Sequence, residues 1–204
     1  GERVIDRCAG RGGKALALAA MMQGEGRLIA TDDDKRQLAP IHERLSRAGV
    51  HNAEVRTPKG ATDTLADIKA SADLVFVDAP CTGTGTWRRN PDAKWRMRPG
   101  ALEQRVKEQA EVLDRAAALV KPGGRIAYVT CSVLGQENGA QIAAFTARHP
   151  DFAVVPPEQA AGVLWDKAEA FAAAARLMPE GLLMTPYRTG TDGFFVSLMT
   201  RKKP

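Results

Sequence analysis

An apolar, β-branched run, Ala72-Asp73-Leu74-Val75-Phe76-Val77, feeding into Asp78-Ala79-Pro80-Cys81-Thr82-Gly83-Thr84-Gly85, constrains this chain more than any other stretch. The run is short and apolar enough for a strand buried on both faces. Pro80 has no N–H for a ladder, so the strand is expected to end at Asp78 or Ala79. A carboxylate and a thiol are thereby delivered to the carboxyl edge of a sheet, where open α/β sheets bind ligands. The glycines behind them permit a tight turn and a close backbone approach. A second cysteine, in Thr130-Cys131-Ser132, follows another strand-like run, Arg125–Thr130, in the same manner.

The rest of the chain alternates. Arg3–Asp6 reads as a strand, Cys8-Ala9-Gly10-Arg11-Gly12-Gly13-Lys14 as a glycine-rich turn and Ala15–Met22 as a helix. Strand, glycine turn and helix suit a nucleotide-like ligand, or form a plain tight turn. The spacing departs from the dinucleotide pattern G-x-G-x-x-G, and Ala15 stands where a P-loop needs a hydroxyl. A nicotinamide oxidoreductase is therefore disfavoured. Arg27–Thr31 reads as a second strand ending in Asp32-Asp33-Asp34. Asp32 sits where Rossmann-like folds grip a ribose diol, and Asp34 is expected to cap the next helix, Lys35–Ala48, which Pro40 kinks or delays. Ala53–Arg56 is a short third strand.

Apolar positions at Leu102, Val106, Ala110, Leu113, Ala117 and Val120 give Pro99–Val120 a helical core face, stopped by Lys121-Pro122-Gly123-Gly124. Glu137–His149 is a further helix with Ile142 and Phe145 inward, and 156–181 an alanine-rich insertion with a helix. Leu182–Thr185 and Phe194–Met199 are expected to close the sheet in antiparallel fashion. The expectation is one α/β domain over 1–204, with a Rossmann-like, doubly wound, mostly parallel sheet. The abrupt opening in a strand suggests an excised catalytic piece.

Composition sets the partner classes. At 204 residues with 44% apolar and 26% charged residues the chain can bury a substantial core. No apolar run approaches the roughly eighteen residues of a membrane span, and no secretory signal opens the chain. Three cysteines, an odd number, fit reduced thiols in a cytoplasmic protein. His42, His51 and His149 are isolated, and no metal-ligand cluster is evident. The net charge of +5 leans towards a polyanion. Between Trp87 and Arg98 the chain places Arg88, Arg89, Lys94, Arg96 and Arg98 beside Trp87 and Trp95. Bases interleaved with aromatics suit phosphate contact and base stacking, or else form a solvated loop over the core edge.

The motifs D-x-C-A-G-x-G-G-K at Asp6–Lys14, D-A-P-C-T-G-T-G at Asp78–Gly85 and R-R-N-P-D at Arg88–Asp92 occur in order. K-P-G-G at Lys121–Gly124, T-C-S at Thr130–Ser132, E-N at Glu137-Asn138 and D-G-F-F at Asp192–Phe195 follow. Together they resemble the Sun (Fmu) family of RNA cytosine-5 methyltransferases from about Gly1 to Met199. The resemblance implies a class I methyltransferase fold, S-adenosylmethionine as methyl donor and RNA as substrate, ribosomal ahead of transfer RNA, for a monomer without metal. It maps the cofactor loop onto Cys8, Ala9, Gly10, Arg11, Gly12, Gly13 and Lys14, the ribose acid onto Asp32, and further cofactor contacts onto Asp78 and Pro80. Cys131 becomes the nucleophile, Cys81 acts in product release, and Asp78 with Lys14 serves the ring nitrogen. Trp87, Arg88, Arg89, Lys94, Trp95 and Arg96 are the expected RNA contacts. Two departures stand out. Arg11 occupies a position where the family favours proline. After strand three the family places an acid near the adenine, whereas this chain reads Arg56-Thr57-Pro58-Lys59-Gly60, with Asp63 a poor substitute by spacing. A module that binds cofactor or RNA without turnover is the competing reading.

Overall fold

The structure, a computed structural model, describes residues 1–60, 63–162 and 165–204. In chain order it runs β1 (Arg3–Asp6), α1 (Gly13–Met22), β2 (Arg27–Thr31), α2 (Lys35–Leu38), α3 (Ile41–Arg47), β3 (Ala53–Arg56) and β4 (Ala72–Asp78). Then come α4 (Ala93–Arg96), α5 (Ala101–Leu119), β5 (Val120–Thr130), α6 (Gly139–Arg148), β6 (Phe152–Val154) and α7 (Pro157–Gly162). α8 (Ala168–Ala174), β7 (Arg176–Met178), β8 (Gly181–Met184), α9 (Pro186–Thr189) and β9 (Phe194–Arg201) complete it.

The described strands form one nine-stranded sheet in the order β3-β2-β1-β4-β5-β9-β8-β7, with β6 also on β9. β1 to β5 are parallel, and β6, β7, β8 and β9 pair antiparallel. From β1 the chain moves outward through β2 and β3, then returns to place β4 and β5 on the other side. The carboxyl ends of β1 and β4 therefore feed loops that diverge, and a crevice opens between them.

Strand alternation explains why both faces are covered. Val4, Leu28 and Ala30 pack with Ala15, Ala19, Ile41 and Leu45 on one face. Their neighbours Ile5 and Ile29 join Leu113, Ile142 and Phe145 on the other. A period of two on strands buried from both sides yields near-continuous apolar runs, as in β2 and β4.

Four local differences from expectation have physical causes. Pro40 breaks the expected Lys35–Ala48 helix into α2 and α3, with Asp34 capping α2 by accepting from the Arg36 N–H at 2.9 Å. The expected helix stop at Lys121–Gly124 is instead a bulge inside β5. Ala72 pairs with Val120 and Leu74 with Arg125, so the four residues between have no partner strand. Gly123 at φ 78° and Pro122 suit such a bulge, where no ladder N–H is needed. The core face of α5 is Gln109, Val112, Leu113, Ala116, Ala117 and Leu119, rotated from the expected stripe. Finally, the region expected as an insertion contains α7, α8 and β7, and β7 joins the sheet through Arg176 opposite Leu183. Within it, positions 163–164 lie outside the described residues.

Candidate active site

β4 and β5 are neighbours in parallel register, Asp78 opposite Val129, so the residues just beyond each strand meet at one edge. This juxtaposition brings the sulfurs of Cys81 and Cys131 to 3.3 Å. The two thiols are not equivalent. Hydrogen bonding from Cys81 draws Cys131 down to about 7, against burial and the Asp78 charge, with Lys14 assisting. Cys81 is held far above the ordinary thiol range by that same bond and by burial. The arrangement is a thiolate at Cys131 accepting a hydrogen bond from a neutral Cys81 thiol. Cys8, the third thiol, is pushed up to about 12 by burial and is inert as a nucleophile at neutral pH.

Lys14, in the first turn of α1, reaches across the crevice to the Asp78 carboxylate at 2.5 Å. The glycine loop makes this reach possible. Gly12, at φ 83°, turns the chain into α1, and a Cβ there would lie 2.4 Å from the Ile41 side chain. Asp32 accepts from the Gly10 N–H and the Asp34 N–H, both at 2.9 Å, so the end of β2 and the glycine loop are one unit. Between these groups lies a cavity of about 870 Å³ lined by the loop residues Cys8, Ala9, Gly10, Arg11, Gly13 and Lys14. Asp32, Asp78, Pro80, Cys81 and Cys131 line it as well. Gly12 does not: it is buried on Ile41 and serves the turn. A volume of this order suits a nucleoside-sized ligand. Each Asp32 oxygen keeps a lone pair for a diol, and Ala79, Pro80 and Val112 add apolar wall. The donor set thus fits a nucleoside cofactor. Below the loop, Asp6 is fully buried with no hydrogen-bond partner for either carboxyl oxygen. Burial first, and the Asp78 charge second, raise it to about 7.

The turn carrying Cys81 is braced from behind. Glu137, fully buried, accepts from the Thr82 N–H at 2.7 Å and the Thr82 hydroxyl at 2.5 Å. Gln109, also fully buried, donates its amide to Glu137 at 3.1 Å and to the Pro80 carbonyl at 2.8 Å. Tyr128 donates to the Glu137 carbonyl at 2.7 Å. On the Cys131 side, Asn138 accepts from Thr130 at 2.6 Å and donates to the Ser132 carbonyl at 2.9 Å, while Thr84 and Ser132 hydroxyls meet at 3.0 Å. In the sequence Glu137 and Asn138 stand only as part of a motif, and Gln109 belongs to none. The available signal was a polar residue on the inward face of an amphipathic helix.

The basic segment divides. Trp95 is 81% exposed with Lys94 over its ring at 4.8 Å. Trp87, by contrast, is half-buried, and its indole N–H is buried without a partner. Arg88 donates to the Gly190 carbonyl at 3.3 Å, Arg89 pairs with Asp192 at 3.0 Å and Arg96 with Asp92 at 3.1 Å. At the end of β3, where the resembling family has an acid and this chain has none, the Arg56 guanidinium is held by Glu54 and Asp67. Asp63 accepts from the Leu65 N–H at 3.1 Å and lines a separate cavity of about 630 Å³ with Arg7, Asp33, Lys69 and Arg115. Among the described residues no cluster of His, Cys, Asp and Glu could hold a metal ion, and no helix is long and apolar enough to cross a membrane.

Comparison with known proteins agrees with this fold. Ribosomal RNA small subunit methyltransferase B of Sodalis glossinidius (strain morsitans) is 35% identical over 98% of this chain and 42% of its own length. The probable enzyme of that name in Bacillus subtilis (strain 168) is 34% identical over 98% of the chain and 43% of its length. The chain thus spans less than half of these curated relatives. The crystal structure of PH0851 superposes with a TM-score of 0.84 at 33% identity, over 98% of this chain and 42% of that one. That of NSun6 from Pyrococcus horikoshii with SFG gives 0.78 at 25%, over 100% and 48%. Residues 1–200 match the family described as 16S rRNA methyltransferase RsmB/F, and the chain belongs to that family.

Proposed function

We propose that this chain is the catalytic part of an S-adenosylmethionine-dependent enzyme that methylates carbon 5 of cytosine in ribosomal RNA. The observation that carries the reading is the thiol pair: Cys81 and Cys131 at 3.3 Å, with only Cys131 drawn down towards neutrality. Carbon 5 of cytosine is a poor nucleophile. A thiolate added at carbon 6 makes the ring an enamine, and Cys131 is the thiolate available at pH 7. Negative charge then builds towards N3, and the Asp78–Lys14 pair at the same edge is assigned to orient the ring and stabilise that charge by hydrogen bonding. Release requires transfer of the carbon 5 proton to solvent water, re-forming the carbon 5–carbon 6 double bond as the sulfur–carbon 6 bond breaks and Cys131 leaves as the thiolate. Cys81, still protonated and touching Cys131, acts in this step by returning a hydrogen bond to the departing thiolate.

S-adenosylmethionine supplies an electrophilic sulfonium methyl group. The residues that would hold it are the cavity-lining residues of the glycine loop, Asp32 for the ribose hydroxyls and Pro80 on the apolar wall; the relative solved with SFG, an analogue of this cofactor, supports the choice of cofactor. RNA reaches the thiols past the basic segment from Arg88 to Arg98. Free thiols at the reacting centre fit a reducing, cytoplasmic setting.

The test is transfer of a labelled methyl group to small-subunit ribosomal RNA, with bisulfite sequencing to locate it. Cys131→Ala is expected to lower the rate by at least about a thousandfold. Cys81→Ala is expected to accumulate a denaturant-stable protein–RNA adduct. Full activity of Cys131→Ala would remove the nucleophile assignment. Tight binding of cofactor and RNA by the wild-type chain with no transfer would leave a binding module.

A further inference from the structure

Among the described residues two large aromatic side chains stand out from the surface: Trp95, expected to contact RNA, and Tyr187, which is 97% exposed. Tyr187 belongs to the four-residue α9, yet its base is fixed. Thr185 caps the helix, its carbonyl accepts from the Thr189 hydroxyl at 2.8 Å, and Gly190 closes it at φ 69°. The Arg188 guanidinium donates to the carbonyls of Ala173, Ala174 and Ala175 at 2.8 to 3.4 Å, tying α9 to the end of α8. A ring left in water on an anchored base is preorganised for a partner, because little freedom remains to be lost on contact.

The loop after α9 is joined to the reacting centre. The Gly193 N–H donates to the Gly85 carbonyl at 2.8 Å, and the Gly85 N–H to the Cys131 carbonyl at 2.9 Å. The two glycines lie so close that a Cβ on Gly85 would sit 2.0 Å from the Gly193 oxygen. Arg88 and Arg89 cross from the basic segment to Gly190 and Asp192 of the same loop. The two aromatic residues therefore stand on segments that meet at Gly85, whose N–H is bonded to the Cys131 carbonyl and whose carbonyl accepts from Gly193.

We propose that Tyr187 is a stacking platform for an unpaired base of the RNA flanking the target cytosine, the counterpart on the C-terminal loop of Trp95 on the basic segment. The proposal rests on the RNA reading above and extends it to a residue outside every motif of the chain. Charge complementarity names the occupant. The basic segment, tied to this loop through Arg88 and Arg89, carries Arg88, Lys94 and Arg98 without carboxylate partners among the described residues, so a polyanion with flat faces fits where an apolar protein surface does not. A cytosine that must leave its stack to reach Cys131 needs its neighbours held, and a sequence-tolerant π-face does this.

The experiment measures affinity of the chain for a labelled single-stranded oligoribonucleotide of about ten nucleotides by fluorescence anisotropy. Cofactor affinity and thermal unfolding serve as controls. Tyr187→Ala is expected to weaken RNA binding roughly tenfold, the scale of one stacked base, with Tyr187→Phe close to wild type. In turnover the loss is expected in KM for RNA with kcat little changed. Equal binding by wild type and Tyr187→Ala overturns the proposal, as does a loss in Tyr187→Phe equal to that in Tyr187→Ala, which would make the hydroxyl the contact. A wild-type chain that binds no single strand under these conditions overturns the RNA reading itself, a result the variants cannot mimic.

Discussion

Cys131 owes its acidity first to one neighbour, so that neighbour should control its reactivity. At pH 7 iodoacetamide is expected to label Cys131 before Cys8, which burial holds at about 12. Replacing Cys81 with alanine removes the leading cause of the shift. The pH midpoint of Cys131 alkylation should then move from about 7 towards the ordinary thiol value near 8.5, slowing labelling at pH 7 roughly tenfold. An unchanged midpoint would dissolve the pairing. Asp6 offers a second residue-scale test. Its folded-state carboxyl is raised from 3.8 to about 7, so the folded protein holds a proton that the unfolded chain releases. Stability attached to Asp6 is therefore fully present below pH 4 and is lost as pH rises to about 7, by at most about 4 kcal/mol at roughly 1.4 kcal/mol per unit. Between pH 5 and 7 the paired surface carboxylates are ionised in both states and drop out. Asp6→Asn should flatten the decline of denaturant stability over that window. Which thiol is ionised, and that Asp6 is an orphan, could not be seen in the chain. Both depend on neighbours such as Asp78, more than seventy positions from Asp6, that only the fold supplies.

The brace behind the Cys81 turn belongs to the elements rather than to any one side chain. α5 contributes Gln109, the turn before α6 contributes Glu137, and both converge on the loop that β4 throws out. Glu137→Ala leaves the Thr82 N–H, the Thr82 hydroxyl and one Gln109 bond without their acceptor in a dry interior. It is expected to cost about 3 kcal/mol in denaturant unfolding. It should also raise the Cys131 alkylation midpoint, because an unpinned turn no longer holds Cys81 at hydrogen-bonding distance. A loss of stability with an unchanged midpoint would make the brace purely structural. The elements themselves were largely legible. β1, β2, β4 and the β5 terminus are apolar runs ended by aspartate, proline or cysteine, and the periodicity of α5 is plain. Its rotation was not, because Ala110 and Gln109 compete for the inward position and packing against β4 decides it. The bulge at Lys121–Gly124 was hidden for a related reason. Proline and glycines mark a break in local structure, but only the Val120–Ala72 pairing shows that the strand ahead, Arg125–Thr130, already begins on the near side of it. β6 and β7, three residues each, carry too little pattern to be distinguished from loop.

At the scale of the whole molecule, an excess of five positive charges says little until their partners are known. Most guanidinium groups are already engaged: Arg7 with Asp33, Arg125 with Glu2, Arg148 with Asp114 and Arg201 with Asp151. On the rim, Arg89 and Arg96 are likewise held by Asp192 and Asp92. Among the described residues Arg88, Lys94 and Arg98 have no carboxylate within ion-pair distance, and they lie on the segment joined to the loop that carries Cys81. The parallel sheet puts that loop beside the cofactor crevice, and the antiparallel β9 brings Gly193 against it, so the fold sets these three cations on the segment that follows the Cys81 loop. Three phosphates neutralised on a single strand predict a slope of about −2 for log affinity against log salt. Arg98→Ala should reduce its magnitude by about 0.7, whereas Arg96→Ala should change it less, since that side chain exchanges one carboxylate for another anion. A slope near zero would mean that the basic segment does not touch the RNA backbone. Equal effects of the two arginines would mean that the ion pair with Asp92 opens on binding.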